Sequence, residues 1–291
     1  MTLPAELVSL LEVRLGNIKN VAPVGGGDIS NAARVQFADD QQVLVKWHKN
    51  SPPGFFSAER RGLELLDSTR AMRVPQVLAH SEAGDGCPAF IALEWLGRGS
   101  STDSVAEVLG HGLARLHRSE ASNYGLDHDN YIGANPQSNG PGEDWVIFFR
   151  DRRLGCQMEL AGKNGRLPGP RAQRLEKLLG RLESWLPAQP PVSLLHGDLW
   201  GGNWLVTQDN EPALIDPAVY YGHREAELAF TELFGGFSAL FYHAYNESWP
   251  LDGEYSERRD LYNLYHLLNH LNLFGETYGA GVDSVLRNYV G

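Results

Sequence analysis

The residues best suited to chemistry lie in the segment 196–203, His-Gly-Asp-Leu-Trp-Gly-Gly-Asn, where an apolar strand runs into a polar loop and another apolar strand follows. Asp198 and Asn203 stand at positions i and i+5, and a second acid, Asp216, ends a later apolar strand. Phosphoryl transfer needs a carboxylate to accept a hydroxyl proton and hard oxygen ligands for Mg²⁺. The pattern therefore predicts Asp198 as the base and Asn203 and Asp216 as magnesium ligands.

The alternative role for a lone Asp or Asn in a loop is to cap a turn. Turn capping explains Asp198 or Asn203 taken singly, but it does not explain why Asp198, Asn203 and Asp216 occur together at these spacings. The catalytic loop of kinases, H-R-D-x-x-x-x-N, has the same Asp-to-Asn spacing. Gly197 here replaces the Arg of that loop, a variant that is typical of small-molecule kinases of the aminoglycoside and choline kinase type.

A glycine-rich turn near the start of the chain could cover the phosphates of a nucleotide, because glycine lets backbone N–H groups approach phosphate oxygens. The residues predicted to do this are Gly25, Gly26, Gly27 and Ser30. A plain hairpin turn would also explain the glycine triplet. A dinucleotide-binding oxidoreductase is not indicated, because the turn lies between two strands and no G-x-G-x-x-G opens a helix.

Two further residues follow in the order that a kinase requires. Lys46 lies on the third predicted strand, where it would position phosphates, and Glu59 lies on the next predicted helix, where it would hold Lys46. The strand at 91–96 precedes a polar linker, and in a kinase the adenine ring contacts backbone groups at this point. The residues predicted for that contact are Glu94, Trp95 and Leu96.

The elements that must position these residues are read from the hydrophobic periodicity. The predicted strands lie at 21–24, 33–37, 42–47, 75–80, 90–95, 192–195, 203–206 and 213–216. The predicted helices lie at 3–11, after Pro53, at 105–116, near 144–162 and 169–186, and at 261–271. Residues 122–143 form a long loop rich in Asn, Gly, Pro and Ser.

This order of elements predicts an α+β protein with the bilobal fold of protein kinases. Residues 1–96 are expected to form a nucleotide-binding lobe, a small antiparallel sheet with an inserted helix. Residues 97–102, Gly-Arg-Gly-Ser-Ser-Thr, have the composition of a linker. Residues 103–291 are expected to form a mainly helical lobe for catalysis and acceptor binding, with ATP and Mg²⁺ bound between the lobes.

Composition excludes several other classes of protein. The formal net charge of −11 argues against a nucleic-acid partner, which usually requires a basic patch. Two cysteines cannot build a disulfide framework or a four-cysteine zinc site. The most apolar stretch, 228–245, is interrupted by Glu232 and His243, so we expect no membrane span. The first 15 residues have no cationic start, so we expect no signal peptide and a cytoplasmic location.

Several longer runs resemble the fructosamine kinase family, also called ketosamine kinases. The runs that carry the resemblance are 148–154, 196–203, 215–227, 233–237 and 261–275. The resemblance covers nearly the whole chain, and the runs after Asp216 are more specific than the general kinase signature. It implies ATP-dependent phosphorylation of the sugar 3-hydroxyl of a ketosamine, the adduct of a sugar with lysine or a small amine. The phosphorylated adduct then decomposes and frees the amine, which is a deglycation role.

The acceptor site is expected to include aromatic and polar side chains close to the proposed catalytic residues. Trp200 could stack on a sugar face, or it could anchor the loop by packing. The other predicted substrate residues are Tyr220, Tyr221 and His223. Two alternatives remain open: a kinase for another amine-bearing acceptor, such as an aminoglycoside or choline, and a pseudokinase that only binds nucleotide. Many family members carry a cysteine in the phosphate loop where this chain has Asp28, so we do not expect redox switching.

Overall fold

A computed structural model describes residues 3–25, 30–84 and 86–291. The chain divides into two compact units. The first unit contains Met1–Ser101 and Leu205–Asp216, and the second contains Thr102–Trp204 and Pro217–Gly291. Residues 103–291 were expected to form one lobe, and within that range Leu205–Asp216 groups with the N-terminal unit.

The first unit is built on a five-stranded antiparallel sheet with the order β1-β2-β3-β5-β4. Its strands are β1 Ile18–Pro23, β2 Asn31–Phe37, β3 Gln42–His48, β4 Val77–Ser81 and β5 Ala89–Glu94. Alternate residues of β2 and β3 are buried on one face of the sheet, as a half-buried strand requires. Leu7 and Leu11 of α1 (Ala5–Leu15) belong to the same core cluster.

The opposite face of β3 carries Leu44, Lys46 and His48, which are less buried than their neighbours. Helix α2 (Phe55–Ser68) follows β3, and its apolar residues Phe56, Leu63 and Leu66 are buried. The helix was expected after Pro53, and the sheet was expected from the alternating pattern, so the sequence and the structure agree here.

A short hairpin completes the first unit. Its strands are β9 (Trp204–Val206) and β10 (Pro212–Leu214), which pair with each other. The hairpin bonds to the N-terminal part of the chain, since Gly99 N–H donates to the carbonyl of Val206 and Leu214 N–H donates to that of Arg73. A Cβ atom on Gly99 would lie 2.1 Å from the carbonyl oxygen of Thr207, so this contact requires glycine. These bonds explain why residues from the middle of the catalytic region belong to the N-terminal unit.

The second unit is mainly helical. Its helices are α3 Asp103–His117, α4 Trp145–Phe148, α5 Cys156–Lys163, α6 Gly169–Leu179, α7 Arg224–Leu233, α8 Ala239–Ser248, α9 Tyr255–Phe274 and α10 Gly279–Val290. Its short strands are β6 Asn130–Ile132, β7 Asn135–Gln137, β8 Ser193–Leu195 and β11 Tyr220–Gly222. β6 pairs with β7, and β8 pairs with β11. Within the described residues, no helix has both the length and the apolar character that a bilayer crossing would need.

The helix expected at 144–162 is interrupted by a π-helical segment, Phe149–Gly155. Arg153 in this segment is fully buried, and it donates to the carbonyl of Ser138 and to Oδ1 of Asn139. Its guanidinium lies 3.8 Å from the ring centroid of Tyr220. The periodicity of a single sequence does not reveal a π-helical turn, because the apolar residues on either side keep a helical spacing.

Helices α3 and α8 approach closely at Gly110. A Cβ atom there would lie 2.3 Å from the carbonyl oxygen of Phe241. We expect Gly110→Ala to lower the free energy of unfolding by about 2 kcal/mol in urea titration, because the clash exceeds the gain in helix propensity. The control is Gly162→Ala in α5, where the nearest contact is 3.8 Å away and the same substitution should not destabilise. Equal effects of the two substitutions would contradict this account.

Candidate active site

Lys46 forms the centre of a charged cluster in the first unit. Its Nζ donates to Oε1 of Glu59 at 2.7 Å and also to Oδ1 of Asp216. The side chains of Lys46 and Glu59 are only 12% and 13% exposed, so water does little to screen the pair. The structure thus brings together three residues that the sequence predicted to act on the nucleotide.

Burial and the two carboxylates act in opposite directions on the pKa of Lys46. Desolvation lowers it, but the charges of Asp216 and Glu59 and their hydrogen bonds raise it above its ordinary value. Desolvation raises the pKa of Glu59, Lys46 lowers it, and the like charge of Asp216 raises it again. Lys46 is therefore a permanent cation flanked by two acids, and the side chain of Asp216 is 44% exposed and open to further ligands.

Asp216 lies two residues after the end of β10, in a left-handed backbone conformation with φ 56°. Aspartate tolerates this region better than most residues because its short side chain can bond locally. The hairpin of β9 and β10 fixes the position of Asp216 within the first unit. Its carboxylate therefore meets Lys46 although the two residues are far apart in the sequence.

The catalytic-loop candidate begins where β8 ends at Leu195. The backbone N–H groups of His196 and Gly197 donate to the carboxylate of Glu227 on α7, at 3.0 and 2.6 Å. Gly197 has φ 83°, and a Cβ atom there would lie 2.0 Å from the carbonyl oxygen of Ala218. Only glycine fits this turn, which accounts for the Gly in place of Arg.

Glu227 is itself held by a buried hydrogen-bond chain. Nε2 of His117 contacts Oε2 of Glu227 at 2.9 Å, and Nδ1 of His117 contacts the hydroxyl of Tyr245 at 2.8 Å. Burial raises the pKa of Glu227, but the hydrogen bond and charge of His117, the charge of His196 and the bond from Gly197 N–H outweigh it, so the pKa lies below its usual value. The carboxylate is ionised at neutral pH and accepts from the loop.

The sequence analysis did not single out His117 or Glu227. Glu227 lies in a helix whose residues from Arg224 to Thr231 are all buried, charged ones included. A carboxylate buried on this helix needs a partner, because burying a charge without one is costly. This burial is visible in the structure and not in the sequence, where Glu227 lies among other charged residues.

Asp198 and Asn203 lie together in the second unit. Nδ2 of Asn203 donates to the backbone carbonyl of Asp198 at 2.8 Å and to its Oδ2 at 3.0 Å. These two bonds set the orientation of the amide, and within the described residues its Oδ1 accepts no hydrogen bond. That oxygen is a suitable ligand for a hard cation. Nothing in the described part of the chain forms a cluster of three or more His, Cys, Asp or Glu able to hold a metal.

The donor set nevertheless fits Mg²⁺, which takes one or two carboxylates and completes its shell with water and phosphate oxygens. An amide oxygen on Asn203 and a half-exposed carboxylate on Asp216 supply ligands of this kind.

Residues predicted to contact the nucleotide fall into two groups. Gly26 and Gly27, with Asp28 beside them, lie outside the described residues, whereas Gly25 is exposed and Ser30 is half-buried. The segment 94–96 lies at the end of β5 and is half-buried. The carboxylate of Glu94 is paired to Arg73, and the ring centroid of Trp95 lies 5.4 Å from the guanidinium of Arg34. The side chains of Glu94 and Trp95 thus have partners within the chain, and the contact of this segment with adenine stays a prediction.

Residues predicted to contact the acceptor differ in where they lie. Trp200 is 41% exposed, and its ring covers Gly202 so closely that a Cβ atom there would lie 2.4 Å from it. Tyr220 and His223 are buried: Tyr220 lies against Arg153, and Nδ1 of His223 bonds the hydroxyl of Tyr262 at 2.7 Å. Other side chains fill the surroundings of these two residues, and their proposed contact with the substrate stays a prediction. Tyr221 is half-buried in β11.

A sheet lysine paired to a helix glutamate, an aspartate after a hairpin, and an Asp–Asn pair on a glycine-containing loop are parts of the phosphoryl-transfer machinery of kinases. The fold and these residues define a phosphotransferase with a protein-kinase-like fold. The sequence matches the fructosamine kinase family over residues 3–291. The chain belongs to that family, as the resemblance of its longer runs predicted.

Similar proteins support the assignment. A protein of Enterococcus faecium assigned as a ketoamine kinase is 40% identical over 275 residues, which cover 92% of this chain and 95% of that protein. The chloroplastic protein-ribulosamine 3-kinase of Arabidopsis thaliana is 36% identical over 285 residues, which cover 97% of this chain and 86% of that protein.

Solved structures of similar proteins agree with the family assignment and with the fold. A Haemophilus somnus protein assigned as a fructosamine-3-kinase has a TM-score of 0.88 at 28% identity, with 98% and 97% of the two chains covered. An aminoglycoside phosphotransferase solved with AMP-PNP and hygromycin B has a TM-score of 0.69 at 16% identity. The superposition covers 99% of this chain and 100% of that one. The second likeness concerns the fold alone, and it confirms the predicted kinase-like architecture.

We expect Glu227→Gln to lower kcat by about 10- to 100-fold, because the amide cannot accept from two backbone N–H groups as a carboxylate does. The measurement is kcat together with the thermal unfolding midpoint. Glu247→Gln on α8, where the carboxylate is 67% exposed, is the matched control and should change neither value. A Glu227→Gln enzyme with normal kcat would show that the loop does not depend on this carboxylate.

Proposed function

We propose that this protein is an ATP-dependent kinase that transfers the γ-phosphoryl group of ATP to the 3-hydroxyl of a ketosamine. The observation that carries the proposal is the match to the fructosamine kinase family over residues 3–291 in a chain that retains a complete set of kinase residues. In that set, Lys46 contacts both Glu59 and Asp216, and Asn203 contacts Asp198. A pseudokinase would not need both halves of the set.

Lys46 is proposed to bind phosphate oxygens of ATP. Its ammonium is a fixed cation because the two carboxylates beside it keep it protonated. Glu59 holds the lysine against the sheet, and when ATP is bound the phosphates compete with Asp216 for the same ammonium. Backbone groups of 94–96 are proposed to contact the adenine, and the turn with Gly25, Gly26, Gly27 and Ser30 to contact the phosphates.

Asp198 is proposed to orient the 3-hydroxyl and accept its proton. The hydroxyl oxygen forms a bond to the γ-phosphorus, the bond from that phosphorus to the bridging oxygen of ADP breaks, and the proton passes to the carboxylate of Asp198. Asn203 fixes this carboxylate through its Nδ2. Most of the rate enhancement then comes from positioning and from stabilisation of charge.

Asn203 and Asp216 are proposed to hold Mg²⁺. The bound ion would neutralise charge on the phosphates. The half-exposed carboxylate of Asp216 would serve as one ligand, and the amide oxygen of Asn203 would serve as another. Trp200 is proposed to stack on the apolar C–H face of the sugar, because its ring is exposed and lies two residues after Asp198.

The experiment that tests the function is ADP formation with Mg²⁺ and ATP, comparing fructosyl-lysine with choline and an aminoglycoside. We expect turnover of the ketosamine alone, with phosphate located on the 3-hydroxyl by NMR. Turnover of choline or the aminoglycoside alone would assign the protein a different acceptor. Nucleotide binding without turnover of any acceptor would contradict the kinase proposal.

Asp198→Asn should lower kcat about 1,000-fold while the affinity for ATP stays within twofold, because the amide can hold the hydroxyl but cannot accept its proton. Stopped or coupled assays measure kcat, and calorimetry measures ATP binding. Asp209→Asn, an exposed acid in the turn between β9 and β10, is the control and should leave kcat unchanged. Turnover near the wild-type value would remove Asp198 as the base.

Trp200→Ala should raise the KM for the ketosamine about tenfold and leave the KM for ATP nearly unchanged, since the ring contributes apolar and stacking area only to the sugar. Trp200→Phe keeps a ring at this position and should recover most of the loss. An equal loss for both substrates would indicate that Trp200 only packs the loop.

A further inference from the structure

Four aromatic rings, two exposed and two half-buried, form a patch at one end of α7 and α9, which we call the aromatic patch. It consists of Phe234, His270, Phe274 and Tyr278. The His270 ring lies at its centre, with ring centroids 4.9 Å from Phe234, 5.6 Å from Phe274 and 5.0 Å from Tyr278. Phe234 and Phe274 are 41% and 47% exposed. Clustered exposed aromatic rings are uncommon on a protein surface without a binding role.

The patch is held by elements that fix its geometry. Phe234 directly follows α7, and His270 and Phe274 lie one turn apart at the end of α9. Beneath it, His266 stacks on Phe230 with a centroid distance of 3.5 Å. The rings are therefore presented by two packed helices, and they form a preorganised surface.

The patch continues into the catalytic-loop candidate through a backbone contact. Gly235 and Gly236 follow Phe234, and a Cβ atom on Gly236 would lie 2.5 Å from the Cα of Gly201. Gly201 is the neighbour of Trp200. Phe234 is thus joined through Gly235 and Gly236 to a segment that packs against the loop of Trp200.

The patch is apolar at neutral pH. Burial lowers the pKa of His270, more than the hydrogen bond to the carbonyl of His266 raises it, so its ring is neutral. The guanidinium of Arg166 approaches Gly275 at the border of the patch, 3.3 Å from the position of a Cβ atom there. An apolar ligand group suits this surface better than a second cation does.

A ketosamine has two parts, a sugar and the substituent on its nitrogen. If the sugar lies at Asp198 and Trp200, the substituent must extend from that point along the protein surface. We propose that the aromatic patch binds this substituent and favours an aromatic or long aliphatic group over a small one. The inference rests on the proposed function, because it assigns a subsite to the same substrate.

The test compares two ketosamines of the same sugar, one made from phenethylamine and one from methylamine. We expect the wild-type protein to prefer the phenethylamine adduct in kcat/KM. Phe234→Ser and Phe274→Ser should each lower the ratio of the two kcat/KM values about five- to tenfold. Ile147→Ser is the control, since Ile147 is also an exposed apolar residue of this unit, 51% exposed, and it should leave the ratio unchanged.

Each outcome is decisive. Turnover of both ketosamines with a ratio that the Phe variants do not change overturns the subsite and leaves the proposed function intact. No turnover of either ketosamine by the wild-type protein overturns the proposed function and the subsite with it. A dimer in gel filtration that Phe274→Ser dissociates, with an unchanged ratio, would identify the patch as a contact between copies of this chain and overturn the proposal.

Discussion

The catalytic loop depends on one buried carboxylate. The backbone N–H groups of His196 and Gly197 point at Glu227, so the loop leaves strand β8 in a single direction. Without an anionic acceptor these two donors would be buried and unpaired, and each would cost about 1–3 kcal/mol. Asp198 follows directly, and its position is set by the backbone that Glu227 holds. His117 and Tyr245 extend this support into helices α3 and α8.

The first unit uses charge in a different way. Two carboxylates share the single ammonium of Lys46, so this cluster has an excess negative charge of about one. A cation and a polyphosphate bound together would change that balance: the cation would take up the carboxylate of Asp216, and the phosphates would occupy the lysine. On the proposed function, binding of a nucleotide would exchange the ion pairs of this cluster for new ones. Glu59 keeps the lysine in place in both situations, because its side chain is buried on α2.

Some of this could be predicted from the sequence, for identifiable reasons. Lys46 lies in an apolar strand, and Asp216 closely follows another. Asp198 and Asn203 share a short loop, so residue type and spacing together indicated the candidate site. The family match and the solved structures confirmed the predicted family and the predicted kinase-like fold. Glu227 and His117 could not be recognised by spacing, because their roles depend on contacts between distant helices. The sequence also did not reveal the surroundings of His223, which follows Asp216 closely and bonds the hydroxyl of Tyr262 in the core.

The hairpin of β9 and β10 has a consequence for biosynthesis. The N-terminal unit lacks its final strands and its aspartate until residues 205–216 have been made, and this segment comes after the first half of the helical unit. A nascent chain that ends at the linker can form the five-stranded sheet, but Lys46 then has only Glu59 as a partner. The N-terminal unit is therefore completed late in translation, and the residues that complete it emerge directly after the loop that carries the proposed base.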